Sequence, residues 1–376
     1  MGDKTGISWT DATWNPVRGC SRVSEGCRNC YAERVAARFS GPGKPYEGLA
    51  TLRRARRQTG PTGELTQPVL SRSAWTGEVR FVAEHLADPL LWKRPRRIFV
   101  NSMSDLFNEK LTNEQIAAVF GVMATAPQHT FQILTKRAKR MREWFAWAAR
   151  LTLDDLHGYA YRAVLTGHDA TRLKRGTTWP LPNAWIGVSV ENQAAADERI
   201  PELLATPAAV RFLSCEPLLG PVHLTLHGSW IRGWDEDWKY DTLNGCEWAS
   251  PHSEVENGSS TSLDWVIAGC ESGPGARRCD VAWLRSLRDQ CLEAGVPLWL
   301  KQAVMSADTM DASITFGPGA KRKAGGLIEL PYLDGVQHCN FPGVKPSAAA
   351  GAIVAMAISD LRSWDPADLL AAQVSL

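Results

Sequence analysis

Apolar residues recur along the chain in short runs, and most of these runs are followed by a stretch with helical periodicity. The runs are rich in Val, Ile, Leu, Phe and Trp and are four to seven residues long, which is typical of β-strands. They do not alternate strictly between apolar and polar positions, so we expect both faces of each strand to be buried. The six predicted strands are Arg97–Asn101, Thr130–Leu134, Ala184–Val190, Val210–Ser214, Asp264–Gly269 and Pro297–Leu300.

Helical patterns accompany these strands, and some of them begin with a recognisable N-cap. Thr112 is a predicted N-cap with Glu114 in the first turn after it, and Asp280 is a predicted N-cap of the helix that begins at Val281. The predicted helices are Tyr31–Arg38, Thr112–Ala126, Ala138–Ala149, Gln193–Leu204 and Val281–Ala294. Because strands that alternate with helices are typical of parallel β/α units, the sequence predicts an α/β protein built as a parallel (β/α) partial barrel of about six units.

The β/α pattern divides the chain into one large region and a C-terminal extension. We expect residues 1–302 to form the partial barrel, with long insertions at about 40–76 and 223–263. The first insertion is rich in Gly, Pro and Arg, and the second is acidic and rich in Trp. Residues 303–376 form the extension, in which a Gly- and Lys-rich segment is followed by a tail with helical patterns.

Composition narrows the class of protein. Of the 376 residues, 44% are apolar and 22% are charged, which is ordinary for a globular protein and excludes intrinsic disorder. The formal net charge of +2 gives no argument for nucleic-acid binding by itself. No apolar run reaches the about 18 residues that a membrane helix needs. The N-terminus lacks the apolar stretch of a signal peptide, so we expect a cytoplasmic protein without disulfide bonds.

Three of the nine cysteines are packed close together near the N-terminus. Cys20, Cys27 and Cys30 form the pattern C-x6-C-x2-C. Three nearby thiolates can bind a soft metal centre. A structural zinc site normally has four ligands, whereas a [4Fe–4S] cluster can use three cysteines and leave one iron open. The pattern therefore favours a cluster over a structural zinc ion.

Two other interpretations of these cysteines stay open. Cys27 and Cys30 could form a redox C-x-x-C pair, with Cys20 incidental. Alternatively, a zinc site could recruit a fourth ligand from a distant cysteine, and the candidates are Cys215, Cys270 and Cys279.

Polar residues follow the C-terminal ends of the predicted strands, where the active sites of β/α barrels are found. These segments contain several Glu and Lys residues, which favours a functional face over ordinary loop polarity. A structural alternative is a buried ion pair, for example between Glu216 and Lys301. The polar ends are Asn101–Asp105, Thr135–Arg137, Ser189–Asn192, Ser214–Glu216, Glu271–Ser272 and Lys301–Gln302.

With the three-cysteine loop and these strand ends, the chain resembles the radical S-adenosylmethionine (SAM) superfamily. More closely, it resembles an uncharacterised phage-protein family, a domain of unknown function with a radical-SAM-like three-Cys motif. The first gap between cysteines is longer than the usual three residues, and Cys270 stands where the family has glycine. The matching stretches are Trp14–Val17, Gly19–Cys20, Gly26–Cys27, Asn29–Ala32, Asn101–Phe107, Leu134–Arg137, Trp185–Glu191, Ser214–Leu218, Glu271–Arg277 and Lys301–Gln302.

The resemblance implies a TIM-barrel-related fold and an iron–sulfur enzyme. Cys20, Cys27 and Cys30 would each hold one iron of a [4Fe–4S] cluster, and the fourth iron would bind SAM. Reduction by an external flavodoxin- or ferredoxin-like donor would cleave SAM to a 5′-deoxyadenosyl radical, which abstracts hydrogen from the substrate.

The resemblance also suggests residues that contact SAM or the substrate. Ser104 and Asp105 would bind the SAM amino group, and Ser189, Glu191 and Asn192 would reach the ribose hydroxyls. The residues with predicted catalytic or substrate-binding roles are Glu216, Glu271 and Lys301, with Lys136 and Arg137 as further candidates for an anionic group.

The phage resemblance suggests a nucleotide or nucleic-acid substrate, bound for modification or repair. Three basic runs, 53–57, 93–97 and 321–323, could contact its phosphates. The alternative function is a non-catalytic zinc or iron–sulfur protein, in which the Trp-rich insertion binds a protein partner.

Overall fold

The centre of the protein is a sheet whose seven parallel strands are neighbours in the same order as along the chain. The computed structural model describes residues 5–53, 72–164, 180–227, 238–249, 261–273, 275–304, 314–323 and 327–343. The strands are β1 (Ala12–Trp14), β2 (Arg97–Val100), β3 (Thr130–Thr135), β4 (Ala184–Ser189), β5 (Val210–Cys215), β6 (Trp265–Gly269) and β7 (Leu298–Val304).

The sheet is open rather than closed into a barrel. Beyond β7 it continues with two antiparallel strands, Leu327–Glu329 and Lys321–Arg322, so β1 and Lys321–Arg322 are its edges among the described residues. The prediction of an α/β protein with parallel β/α units is confirmed. The finer prediction of a partial barrel is not shown by this sheet.

The helices connect successive strands, and five of them were predicted within one residue of their observed ends. Thr112 caps α2 with its side-chain oxygen, which accepts from Gln115 N, while Gln115 Oε1 accepts from Thr112 N. This reciprocal capping box satisfies backbone groups that the first turn leaves unpaired. The helices are α1 (Tyr31–Arg38), α2 (Asn113–Thr125), α3 (Ala138–Ala148), α4 (Leu153–Val164), α5 (Gln193–Leu204) and α6 (Val281–Glu293).

The sheet separates two cores because successive side chains of a strand point to opposite faces. In β2, Ile98 and Val100 belong to the core beneath the helices, whereas Phe99 belongs to the opposite face. In β6, Val266 belongs to the core beneath the helices and Trp265 belongs to the opposite face. The opposite face carries an aromatic cluster, which explains where several of the tryptophans lie. Its buried members are Trp9, Phe99, Phe212, Trp265, Ile267 and Trp299.

Short helical and strand elements fill the remaining described segments. The 3-10 helices are Glu25–Cys27, Ala83–His85 and Asp88–Leu91. The small antiparallel strands are Val17–Arg18 with Arg80–Phe81, Ala50–Arg53 with Arg72–Trp75, Thr225–His227 with Trp238–Asp241 and Cys246–Ala249, and Ile314–Thr315 with Tyr332–Leu333 and Val336–Gln337.

Several predicted features lie outside the described residues. They include most of the basic run at 53–57, Trp230 and Trp234 of the second insertion, and the helical tail after residue 343. Within the described ranges, every helix is too short or too polar to cross a lipid bilayer.

Candidate functional site

A cavity of about 240 Å³ lies at the C-terminal edge of the parallel strands. Side chains from the segments after β2, β3, β5, β6 and within β7 meet there with the cysteine loop, which we define as residues 20–30. Parallel strands bring their C-terminal ends to one edge, so residues far apart in sequence become neighbours. Nine of the eleven predicted site residues line this cavity. They are Cys20, Cys27, Cys30, Ser104, Asp105, Ser189, Glu216, Glu271 and Lys301.

The cysteine loop brings three free thiols to the cavity. Cys27 ends the 3-10 helix Glu25–Cys27, and Cys30 is the residue before α1. Burial and the nearby Asp105 raise the pKa of Cys20 to about 12, while the Arg137 charge opposes them. Burial also raises the pKa of Cys30. Both thiols are therefore protonated at neutral pH unless a bound cation stabilises the thiolate.

The end of β4 holds the middle of the cysteine loop through Glu191. This carboxylate is 1% exposed, accepts a hydrogen bond from Ser24 Oγ, and pairs with Arg199 at 2.6 Å and Lys136 at 3.5 Å. Burial raises its pKa, but Lys136, Arg199 and the Ser24 hydroxyl outweigh burial and keep the pKa below its ordinary value. Glu191 does not line the cavity and instead packs against the loop at Gly26.

The end of β6 holds the last part of the cysteine loop through Glu271. One carboxylate oxygen, Oε2, accepts from Asn29 Nδ2 at 2.8 Å and from Arg277 Nε at 3.0 Å. Arg277 Nη1 donates to the Glu25 carbonyl at 2.9 Å, so the arginine contacts the loop as well. Burial raises the pKa of Glu271, but hydrogen bonds from Arg277 and Asn29 hold it below its ordinary value. Glu271 therefore lies on the cysteine side of the sheet as an ionised group.

The end of β3 holds the start of the cysteine loop through Arg137. Its guanidinium donates to Ser21 Oγ at 2.7 Å and to the Ser21 carbonyl at 3.1 Å, and Nη1 lies 3.9 Å from Cys20 Sγ. Asp105 orients this arginine at 3.1 Å and accepts from Thr135 Oγ1 at 2.7 Å. The three strand ends thus hold three successive parts of the loop, and a positive charge stands beside one of its sulfurs.

The comparisons with known proteins place the chain in a family. A model for a protein family of unknown function, DUF5131, matches residues 4–342. The chain belongs to DUF5131. Searches of curated proteins and of solved structures returned no match. The family match includes all seven parallel strands and the cysteine loop, so the cavity belongs to the DUF5131 region.

The remaining predicted site residues of this DUF5131 chain have local partners. Glu216 and Lys301 form an ion pair at 3.1 Å inside the cavity, which is the structural alternative stated for them. Ser104 Oγ donates to the Val17 carbonyl at 2.9 Å. Asn192 does not line the cavity, because its side chain caps α5 by accepting from Ala195 N at 3.0 Å. The predicted SAM contacts stay predictions.

Sequence reasoning missed the residues that hold the DUF5131 cysteine loop in place. Ser24, Asn29 and Arg277 were not singled out, although Asn29 and Arg277 lie within stretches that carry the resemblance. Trp9 and Asn101 also line the cavity without having been proposed as contacts. Among the described residues, no group of three or more His, Cys, Asp or Glu side chains is positioned to share one metal ion.

Proposed function

We propose that this DUF5131 protein is an iron–sulfur enzyme of the radical SAM type. Cys20, Cys27 and Cys30 would hold a [4Fe–4S] cluster at the open edge of a partial β/α barrel, and SAM would bind beside it. The observation that carries the proposal is the meeting of three free thiols from one short loop at a single cavity, at the C-terminal edge of seven parallel strands in chain order.

The three cysteine thiolates are chemically suitable ligands for such a cluster. Thiolates are the usual ligands of iron–sulfur clusters, and three cysteines leave one iron for a small ligand. Each thiolate would bind a different iron, so the three sulfurs need not share one coordination sphere. When bound, such a cluster supplies the electron that cleaves the sulfonium C–S bond of SAM. An external flavodoxin- or ferredoxin-like protein would deliver that electron.

The side chains around the cysteines would prepare them for this role. Arg137 places a positive charge 3.9 Å from Cys20 Sγ, which partly offsets the burial and the Asp105 charge that favour the thiol. Glu191 and Glu271 fix the loop between the cysteines, so the spacing of the sulfurs does not depend on the loop alone. These residues act as positioning groups, because their carboxylates bond to the loop rather than to an open part of the cavity.

The polar part of the cavity presents positively and negatively charged side chains to a ligand. Lys301 and Glu216 line it as an ion pair, with side chains that are 22% and 12% exposed. Lys136 lines it too, while its ammonium group faces Glu191 at 3.5 Å. A ligand that carries an ammonium and a carboxylate, as SAM does, can exchange partners with such a pair without leaving a buried charge alone.

The proposal is tested by purifying the protein without oxygen and measuring iron, sulfide and zinc. We expect about four iron atoms per chain and a broad absorption near ~400 nm. After reduction, the protein should convert SAM to 5′-deoxyadenosine. Cys27→Ala should lose the iron and the absorption together.

The matched control is Cys246→Ala. Cys246 lies in a small antiparallel strand and does not line the cavity, so this variant should keep its iron. A colourless protein with one zinc ion per chain would contradict the proposal, as would full iron content in Cys27→Ala.

A further inference from the structure

Two residues that line the cavity each carry a buried hydrogen-bond donor that has no partner among the described residues. The donors are the indole Nε1 of Trp9, which is 2% exposed, and the amide Nδ2 of Asn101, which is 3% exposed. Buried donors without acceptors are rare in folded proteins, and each needs a specific explanation. Here both belong to residues that face the same cavity, so one ligand with acceptor atoms could satisfy them.

Packing fixes the Trp9 ring in its place. Its ring centroid lies 4.7 Å from that of Phe99 and 6.3 Å from that of Trp265, and its carbonyl accepts from Gln132 Nε2 at 3.3 Å. The indole therefore cannot turn toward another acceptor without breaking the aromatic cluster.

The Asn101 amide is fixed as well. Its Oδ1 accepts from Val17 N at 3.3 Å, which determines that the nitrogen is the atom left without a partner. Its backbone has a φ of 59°, in the left-handed region, and its own N–H donates to the Trp14 carbonyl at 2.7 Å. Asparagine adopts this region more readily than most other non-glycine residues, so the backbone holds the amide in place at little cost.

The walls around the two donors determine the shape of the ligand. Ile7, Phe99 and Leu134 line the cavity together with Trp9, so this part of it is apolar and contains two aromatic rings. Flat apolar walls with a few fixed donors suit a planar ring that carries acceptor atoms in its plane. We propose that Trp9 and Asn101 bind a nucleobase, with the indole and amide N–H groups donating to ring nitrogens or carbonyl oxygens of the base.

This base has two possible sources, the adenine of SAM or the base of a nucleotide substrate. The inference deepens the proposed function and rests on it for the identity of the cavity as the active site. Binding of a base is nevertheless measurable without catalysis, so the two can fail separately.

The experiment is calorimetric titration of the purified full chain with adenosine, guanosine, cytidine and uridine. We expect at least one nucleoside to bind. Trp9→Phe removes the indole donor but keeps an aromatic ring, and Asn101→Asp replaces the amide donor while keeping the oxygen that Val17 needs. Each variant should weaken binding by about tenfold, the effect of losing one hydrogen bond.

The matched control is Trp299→Phe, in the same aromatic cluster. The Trp299 indole donates to Ser8 Oγ at 3.2 Å, and the residue does not line the cavity, so this variant should bind as the wild type does. Near-ultraviolet circular dichroism of each variant checks that the aromatic cluster is intact. Absence of binding by all four nucleosides, or unchanged affinity in both Trp9→Phe and Asn101→Asp, would overturn the inference and assign the two donors to ordered water.

Titrations in the presence of saturating SAM separate the two sources. Competition assigns the site to the adenine of SAM, and undiminished nucleoside binding assigns it to a substrate base. Cys27→Ala, measured for iron in parallel, distinguishes this inference from the proposed function. Nucleoside binding by protein that never acquires iron would contradict the proposed function alone, whereas iron-loaded protein without binding would contradict this inference alone.

Discussion

Replacing Gly26 by alanine should disturb the cysteine loop more than the addition of one methyl group would suggest. Gly26 directly precedes Cys27, and a Cβ at this position would lie 2.3 Å from Glu191 Oε1 and 2.6 Å from Glu191 Cγ. These distances are far inside van der Waals contact, so either the loop or the carboxylate must move. The backbone of Gly26 is not in the left-handed region, so the need for glycine comes from space and not from conformation.

The size of the effect follows from which group moves. Displacing Glu191 would break its buried pair with Arg199, at a cost of about 3–5 kcal/mol. Shifting the loop instead resembles overpacking of a core, at about 1–3 kcal/mol. Since the cheaper response dominates, we expect Gly26→Ala to lower the free energy of unfolding by about 1–3 kcal/mol and to move Cys27 away from its place at the cavity.

Urea denaturation measures the change in the free energy of unfolding. Iron content after anaerobic reconstitution shows whether Cys27 is still in place to bind iron. Gly41→Ala is the matched control, because a Cβ at Gly41 meets nothing within 4 Å and its backbone is not left-handed. That variant should stay within about 0.5 kcal/mol of the wild type. Equal stability and equal iron content in the two variants would refute the argument that Glu191 leaves no room at Gly26.

Two further substitutions test the charged groups at the strand ends. Asp105→Asn should lower the free energy of unfolding by about 1–3 kcal/mol, because the buried Arg137 loses one of its two carboxylate partners and keeps only Glu109, at 2.9 Å. Unchanged urea stability with weakened SAM binding would instead support a direct ligand role for Asp105. Glu271 has a lowered pKa in the folded protein. Its ion pair with Arg277 therefore stabilises the fold fully at pH values above the ordinary carboxyl pKa, and this stabilisation is lost as the pH falls through the lowered pKa. The difference in free energy of unfolding between the wild type and Glu271→Gln should therefore be largest near neutral pH and shrink below about pH 4. Urea denaturation at pH 7 and pH 3 measures this difference, and an equal difference at both pH values would contradict this account.

Strands and helices with local signals could be predicted from the sequence. The observed bounds of α5 are those predicted, and β3 extends the prediction by one residue. Apolar runs and N-caps act over a few residues, so the sequence displays them directly. Two elements were missed. β1 has only three residues, whereas α4, which packs on α2, does carry a local signal, since Thr152 Oγ1 accepts from Asp155 N at 3.1 Å as an N-cap. Gly121 of α2 lets the two helices approach, since a Cβ there would lie 2.2 Å from the Leu156 carbonyl oxygen.

The sequence by itself determined the parallel β/α class, the three-cysteine loop and the polar character of the strand ends. Only the tertiary structure decided how those polar residues divide their roles. Glu191 and Asp105 were predicted to contact SAM, but they lie in buried ion pairs with Arg199 and Arg137. The partner of a buried carboxylate depends on distances between separate strand ends and loops, and no local sequence pattern contains those distances. For the same reason, only the folded chain revealed that Trp9 lines the cavity and that its indole N–H has no partner in the described part of the chain.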